Sequence, residues 1–228
     1  MKILAIDTST MISSCSLMED GLIVGDYNIN QKKTHSETLV LMIEQMLEKL
    51  DTDIEDVDVF AVCKGPGSFT GLRIGMTTAK TFAQVFDKKI VGISTLEALA
   101  NMISTDKIII PILDARGGRV YYSMFTNDSK LERLMDDDLI YFEDLVEQLD
   151  DDKEYIFVGD GVYSFLDEIK SKENFQLANS SLNNCITRSI CDLANKTETF
   201  DSYYTLSPDY VRKSQAQRDY ERRHSNDN

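Results

Sequence analysis

Apolar residues along this chain switch between two spacings, and each switch marks a predicted element. The run ILAI, closed by Asp7, predicts a buried strand. SSCSLMED and GLIVGDYNI follow it as a hairpin that turns at Gly21. The spacing then becomes helical. Leu39, Met42, Ile43, Met46, Leu47 and Leu50 fall at i, i+3, i+4, i+7, i+8 and i+11, the apolar stripe of a helix over 34–50. Thr34 and Glu37 spell a capping box, which would satisfy free backbone N–H groups at the helix start. DVDVFAVC is the next strand, and a glycine-bearing loop leads from it into a second helix from about Thr70 to Phe86. KKIVGIS is a strand, and STLEALANMI a helix whose Ser94 and Glu97 spell another capping box.

The order then repeats. KIIIPILDAR resembles MKILAIDTS, an apolar strand ending in Asp (Asp114 against Asp7) and entering a further hairpin, GGRVYYSMF. EYIFVGDGVYSFLDEI resembles DVFAVCKGPGSFTGL: apolar strand, glycine turn, helix. Two βββαβα-type lobes with a cleft between them are therefore expected. This α/β, actin-like arrangement, shared with hexokinases and sugar kinases, places a nucleotide's phosphates between two strand turns. The expected lobes span 1–105 and 106–211, with a basic tail at 212–228.

The loop Cys63–Lys80, CKGPGSFTGLRIGMTTAK, stands where such phosphates would sit, yet it fits no phosphate-loop spelling. A Walker A loop needs G-x-x-x-x-G-K-[ST], and here Gly65 and Gly71 are six apart with Leu72 and Arg73 next. A G-x-G-x-x-G loop would need glycine where Thr70 stands. Gly65 and Gly67 permit close backbone approach, and Ser68 or Thr70 can cap a helix whose free N–H groups favour an anion. Anion binding and a tight strand-to-helix connection both satisfy this pattern.

The helix after the loop is apolar on most of its circumference. Leu72, Met76, Ala79, Ala83 and Phe86 form a core face, and Ile74, Thr78 and Val85 lie nearly opposite, with Gly71, Gly75 and Phe82 between. Such a helix is central to its own domain or covered by a second subunit. Gly71 and Gly75, four apart, allow another helix to approach closely in either case.

Charge narrows the partners. The chain of 228 residues carries a net charge of -15, which argues against it as a principal nucleic-acid binder. Between Glu132 and Glu154 eleven Asp or Glu stand against one Arg and one Lys, a solvated acidic surface. From Arg212 to Arg223 five basic residues face two acidic ones. Cys15, Cys63, Cys185 and Cys191 show no CxxC spacing, as in a cytoplasmic protein with reduced thiols. MKILAIDTS lacks the apolar core and cleavage site of a signal peptide, and no run approaches a membrane span.

Candidate catalytic groups are few. Asp7 could hold a magnesium-bound water beside a phosphate, or cap its own turn through Thr8 and Ser9. His35 falls at a helix start and His224 in the tail. No HExxH, GxSxG or kinase signature occurs. An ATP-dependent kinase of this fold would need cleft carboxylates, for which Asp7 and Asp114 are the sequence-placed candidates. Arg116 or Arg119 could meet a phosphate, although Gly117-Gly118 between them reads as a hairpin turn.

THSETL, KGPGSFTGLRIGMTTAKTFA, STLEALA, PILDAR and PDYVR, in that order, resemble the TsaB (YeaZ) family over essentially the whole chain. The resemblance implies an actin-like fold and a role in making threonylcarbamoyladenosine at position 37 of tRNAs that read ANN codons. In that scheme a TsaD-type transferase carries out the transfer, a TsaE-type ATPase assists, and the TsaB subunit binds and supports the transferase. TsaD-like enzymes carry H-M-E-G-H, whose histidines ligate a metal; this chain has Thr95-Leu96-Glu97-Ala98-Leu99 there, so both ligand positions, Thr95 and Leu99, are replaced. The capping box accounts for Glu97. The resemblance thus implies a catalytically inactive relative with no cofactor or metal of its own, and it leaves a peptidase without nucleophile or metal. Asp7, Gly65 and Gly67 become candidates for a vestigial nucleotide loop. It further implies a homodimer when alone, exchanged for the transferase through helical faces here assigned to Leu39, Met42, Met46, Ile74, Thr78 and Val85, with tRNA reached indirectly and no membrane involved.

Overall fold

A computed structural model of the chain describes residues 1–30, 35–183 and 186–211. The first sheet begins with β1 (Lys2–Asp7), β2 (Ser13–Glu19) and β3 (Leu22–Ile29). β2 and β3 pair antiparallel through the two-residue turn Asp20-Gly21, with φ of 48° and 83°. Positive φ at both turn residues matches the right-handed strand twist, which is why an Asp-Gly pair sits there. Helix α1 (His35–Lys49) leads to β4 (Val59–Gly65), then α2 (Phe69–Val85), β5 (Lys89–Ser94) and α3 (Thr95–Asn101). β4 pairs parallel with both β1 and β5, giving the order β3-β2-β1-β4-β5.

The second half rebuilds the same order. It comprises β6 (Thr105–Asp114), β7 (Arg119–Tyr122), β8 (Phe125–Asn127), β9 (Leu131–Arg133), β10 (Asp138–Tyr141) and α4 (Phe142–Gln148). β11 (Tyr155–Val158), α5 (Leu166–Lys170), β12 (Phe175–Leu177) and α6 (Thr187–Lys196) complete it. The path β10-β7-β6-β11-β12 repeats the first sheet strand for strand, antiparallel then parallel about β6, with β8 and β9 added. This is the duplicated, actin-like α/β architecture expected from the repeat.

Three apolar layers hold the sheets. In β1, successive side chains alternate faces: Leu4 and Ile6 join Met42, Met46, Phe60 and Met76 beneath α1 and α2. Ile3 and Ala5 join Leu96, Leu99, Ile109 and Ile190 in the layer that α3 and α6 fill between the sheets. Ile110, Ile112, Phe142, Phe157 and Ile169 close the far side beneath α4 and α5. A strand covered on both faces must be apolar at every position, which explains the unbroken run in β1.

The chain after Ile186 returns to the first sheet. Ser16 Oγ donates to Thr187 Oγ1 at 2.7 Å, and Cys191 packs against the backbone of β1 and β2. Asp201 bridges Ile90 on the edge strand β5, and its carboxylate accepts the Gly92 N–H at 2.8 Å. Lys80 Nζ donates to Leu206 O at 2.8 Å, and the Asp209 N–H to Lys64 O at 2.7 Å.

Some local expectations shift. α2 starts at Phe69 with Ser68 as its cap, whose hydroxyl accepts the Gly71 N–H. Ser94 caps α3 by accepting the Glu97 N–H, but the Glu97 carboxylate turns to Arg133 Nη2 at 3.4 Å, so the cap alone does not account for Glu97. Thr34, Cys185, His224 and the tail 212–228 lie outside the described residues. Cys15, Cys63 and Cys191 are buried free thiols, and burial pushes Cys15 and Cys191 up to about 12. Among the described residues no helix is long and apolar enough to cross a membrane.

Candidate functional site

The glycine-bearing loop is sutured to the turn that follows β1. The Ser68 N–H donates to Ser9 O at 2.6 Å, and a Cβ on Gly67 would come within 2.5 Å of that same oxygen. One turn later the Thr8 hydroxyl enters α2, donating to Gly71 O at 2.7 Å and accepting the Gly75 N–H at 3.1 Å. A Cβ on Gly71 would stand 1.9 Å from Thr8 O, and one on Gly75 2.6 Å from Thr8 Oγ1. The two glycines therefore admit the end of β1; a neighbouring helix, the approach their spacing suggested, is not what lies against them. Two of the first amide donors of α2, Ser68 and Gly71, are satisfied inside the chain, which supports the tight-connection reading of the loop over anion binding.

The C-terminal segment straps the outside of this junction. Tyr210 stacks on Phe69 with centroids 4.5 Å apart, and the Arg73 guanidinium lies 4.0 Å over Phe69 while its Nε donates to Tyr210 Oη at 3.0 Å. Gly65, at φ 119°, would clash with Asp209 O at 2.7 Å if it carried a side chain. Asp209 and Tyr210 are thus held against the GPGSF stretch, although 137 residues separate Arg73 from Tyr210.

Between the lobes lies a cleft of about 500 Å³. Ser9, Thr10, Met11 and residues 67–70 line one side, and Asp114, Arg116, Tyr121 and Asp160 the other. Of the three nucleotide-loop candidates, Gly67 lines the cleft, whereas Asp7 and Gly65 are buried and do not. Asp7 caps its own turn, its Oδ1 accepting the Ser9 N–H at 2.8 Å; Asp114 does the same for the Arg116 N–H, again at 2.8 Å. Arg119 lies away from the cleft over the Tyr141 ring, beyond the Gly117-Gly118 turn.

Burial pushes the Asp7 carboxyl up, against the hydrogen bonds from Ser9 and Cys63 and the His35 charge. Burial also raises Asp160, helped by the charges of Asp114 and Asp7 and opposed by the Asp114 N–H. A carboxyl raised by folding stabilises the native state below its unfolded value near 3.8, and that stability is lost as pH rises through the folded value. Asp160→Asn keeps an acceptor for the Asp114 N–H. It is expected to flatten the fall in stability from pH 4 upward, measured by urea unfolding across pH; curves parallel to the parent would count against the assignment.

Thr95 and Leu99 are both buried, Leu99 in the layer between the sheets. Beside them Ser94 Oγ donates to Asp137 Oδ2 at 2.8 Å, and Arg133 joins Asp137 to Glu97. Among the described residues no group of three or more His, Cys, Asp or Glu is placed to hold a metal ion.

The six residues expected at a partner interface differ in exposure. Leu39, Met42 and Met46 are buried against the first sheet, because a stripe at i, i+3, i+7 is the face that α1 turns inward. The apolar residues that α1 turns outward are Val40, 50% exposed, and Leu41, 55% exposed. Val85 on α2 is 66% exposed, Ile74 is half-buried against the core, and Thr78 donates to Ile74 O at 2.9 Å. Ile43, Leu47, Ile54 and Phe82 line an apolar groove of about 620 Å³ that Glu44, Glu48 and Asp53 border. The unbroken run Leu39–Ile43 was the signal for Val40 and Leu41: five consecutive apolar residues cannot all face one side of a helix.

A family model described as TsaD, tRNA N6-adenosine threonylcarbamoyltransferase, matches residues 23–219. The tRNA threonylcarbamoyladenosine biosynthesis protein TsaB of Bacillus subtilis is 32% identical over 223 residues, covering 95% of this chain and 96% of that one. TsaB of Escherichia coli is 32% identical over 131 residues, 56% of each chain. A solved structure from Pseudomonas aeruginosa, titled as similar to peptidase YEAZ, superposes with a TM-score of 0.80 at 21% identity over 92% of this chain and 99% of that one, a likeness of fold.

Proposed function

This chain belongs to the TsaD family, on its TsaB branch, and we propose that it serves tRNA threonylcarbamoyladenosine biosynthesis as a non-catalytic subunit that binds a TsaD-type transferase and supports its transfer step. The observation that carries this is the outward side of α1 and α2, where Val40, Leu41 and Val85 are exposed and Val40 lines an apolar groove with acidic borders. Exposed apolar surface of this kind is stabilised by a partner, here one presenting apolar helices with basic flanks. In the absence of the transferase, two copies of this chain cover the face for each other. A TsaE-type ATPase joins through the complex, and tRNA meets the assembly rather than this acidic chain, in the cytoplasm. Chemistry resides in the transferase, since Thr95 and Leu99 occupy core positions here.

Reconstitution of the modification with TsaD-type, TsaE-type and adenylate-forming proteins tests the proposal. Modified tRNA is expected with this chain present and little without it; equal yields would overturn the role. Tight binding and hydrolysis of magnesium-ATP by the chain alone would overturn its non-catalytic standing.

A further inference from the structure

We propose that Thr8 and His35 are positioning residues: the loop Thr8–Ser13 fixes α1 and α2 relative to each other, and so sets the shape of the apolar face they present outward. This rests on the reading of that face as the partner surface. α2 is helical without a break from Phe69 to Val85, and the Thr8 hydroxyl bonds two of its backbone groups one turn apart, donating to Gly71 O at 2.7 Å and accepting the Gly75 N–H at 3.1 Å. A group from outside the helix therefore fixes α2 along its own axis against the end of β1.

Two residues on, the same loop grips α1. His35 Nε2 lies 2.9 Å from Thr10 O, and its Nδ1 lies 2.6 Å from Ser13 Oγ, which is also 3.2 Å from Thr38 Oγ1. A carbonyl oxygen only accepts, so Nε2 carries the proton that bonds Thr10 O, while Nδ1 and the Ser13 hydroxyl share the second hydrogen bond. The loop is anchored at both ends by the central strands β1 and β2. It holds the first turn of α1 and the first half of α2 through directional hydrogen bonds. The apolar side chains beneath both helices, Leu39, Met42, Met76 and Ala79 among them, fill space but define axial position less sharply. Ser9, Thr10 and Met11 of this loop also line the inter-lobe cleft, so the clamp joins that wall to the outward face.

The test measures binding of the full chain to its cognate TsaD-type transferase by titration calorimetry, alongside thermal unfolding. Thr8→Val removes both hydrogen bonds with little change of shape, Thr8→Ser keeps the hydroxyl, and His35→Ala removes the grip on α1. Ile169→Val, in the outer core of the second sheet, serves as a control for general loss of stability. Thr8→Val and His35→Ala are each expected to weaken binding at least about fivefold, with Thr8→Ser within about twofold of the parent. Ile169→Val is expected to bind like the parent despite a lower Tm. Parent-like binding by both Thr8→Val and His35→Ala would overturn the proposal, as would equal weakening by Ile169→Val. Should Thr8→Val not fold, His35→Ala decides against the same outcomes. Leu41→Glu/Val85→Glu, run in parallel, isolates the premise: normal binding by that variant overturns the partner-surface reading, and the positioning role falls with it.

Discussion

Gly71→Ala is expected to cost about 3 kcal/mol or more of folding stability, since over-packing at a site with no room to relax lies at the upper end of that range. The new Cβ would sit 1.9 Å from Thr8 O, a backbone atom held in turn by the end of β1, so no flexible side chain can move aside. Gly75→Ala meets the Thr8 hydroxyl at 2.6 Å, which can rotate away at the loss of two hydrogen bonds, about 1 kcal/mol each. Gly21→Ala meets nothing within 4 Å and carries only the strain of its φ of 83°, about 1–2 kcal/mol. Urea unfolding should therefore rank Gly71→Ala as the most damaging of the three. A Gly71→Ala variant as mild as Gly21→Ala would mean that the two loops are not sutured. Against a total stability of about 5–15 kcal/mol, the expected loss is large enough to lower the yield of folded protein.

Leu41→Glu/Val85→Glu is expected to abolish self-association and binding to the transferase while leaving the monomer folded. Both side chains are more than half exposed, so their replacement should change monomer stability by no more than about 0.5 kcal/mol. Two carboxylates added to the exposed sides of α1 and α2, with Glu44 and Glu48 already on α1, would oppose any apolar contact and repel a second copy bearing the same charge. Sedimentation should report a monomer at concentrations where the parent dimerises, and reconstituted tRNA modification should drop toward the level seen without this chain. Met42→Glu provides the contrast: that residue is buried beneath α1, so its variant should lose the fold along with the binding. A dimer that survives Leu41→Glu/Val85→Glu would place the contact elsewhere.

The helices and strands were legible because each buries one kind of pattern. The stripe from Leu39 to Leu47 did mark the buried side of α1, and the twin apolar runs before Asp7 and Asp114 did mark the two central strands. The same stripe says nothing of the surface. Periodicity identifies what a helix hides, so that Leu39, Met42 and Met46 are buried while Val40 and Leu41 stay exposed follows from which side α1 turns to the sheet. Ser94 was legible as a cap, and Ser68 as one of two candidates with Thr70, since a hydroxyl at a helix start has one nearby use. Glu97 was not fully legible, because its partner Arg133 lies 36 residues away on β9.

By itself, the sequence determined the repeated strand-Asp, hairpin, helix, strand-turn, helix unit, and with it the duplicated sheets, since hydrophobic period and turn chemistry are local properties. That Thr95 and Leu99 carry no imidazole was equally plain, because residue identity needs no geometry. Only the tertiary structure decided what the glycines of GPGSFTGLRIG are for. Their neighbours are Thr8, Ser9 and Asp209, brought together from both ends of the chain. A glycine in a sequence announces that something comes close, and which atom does so is set by long-range packing that no local spacing encodes.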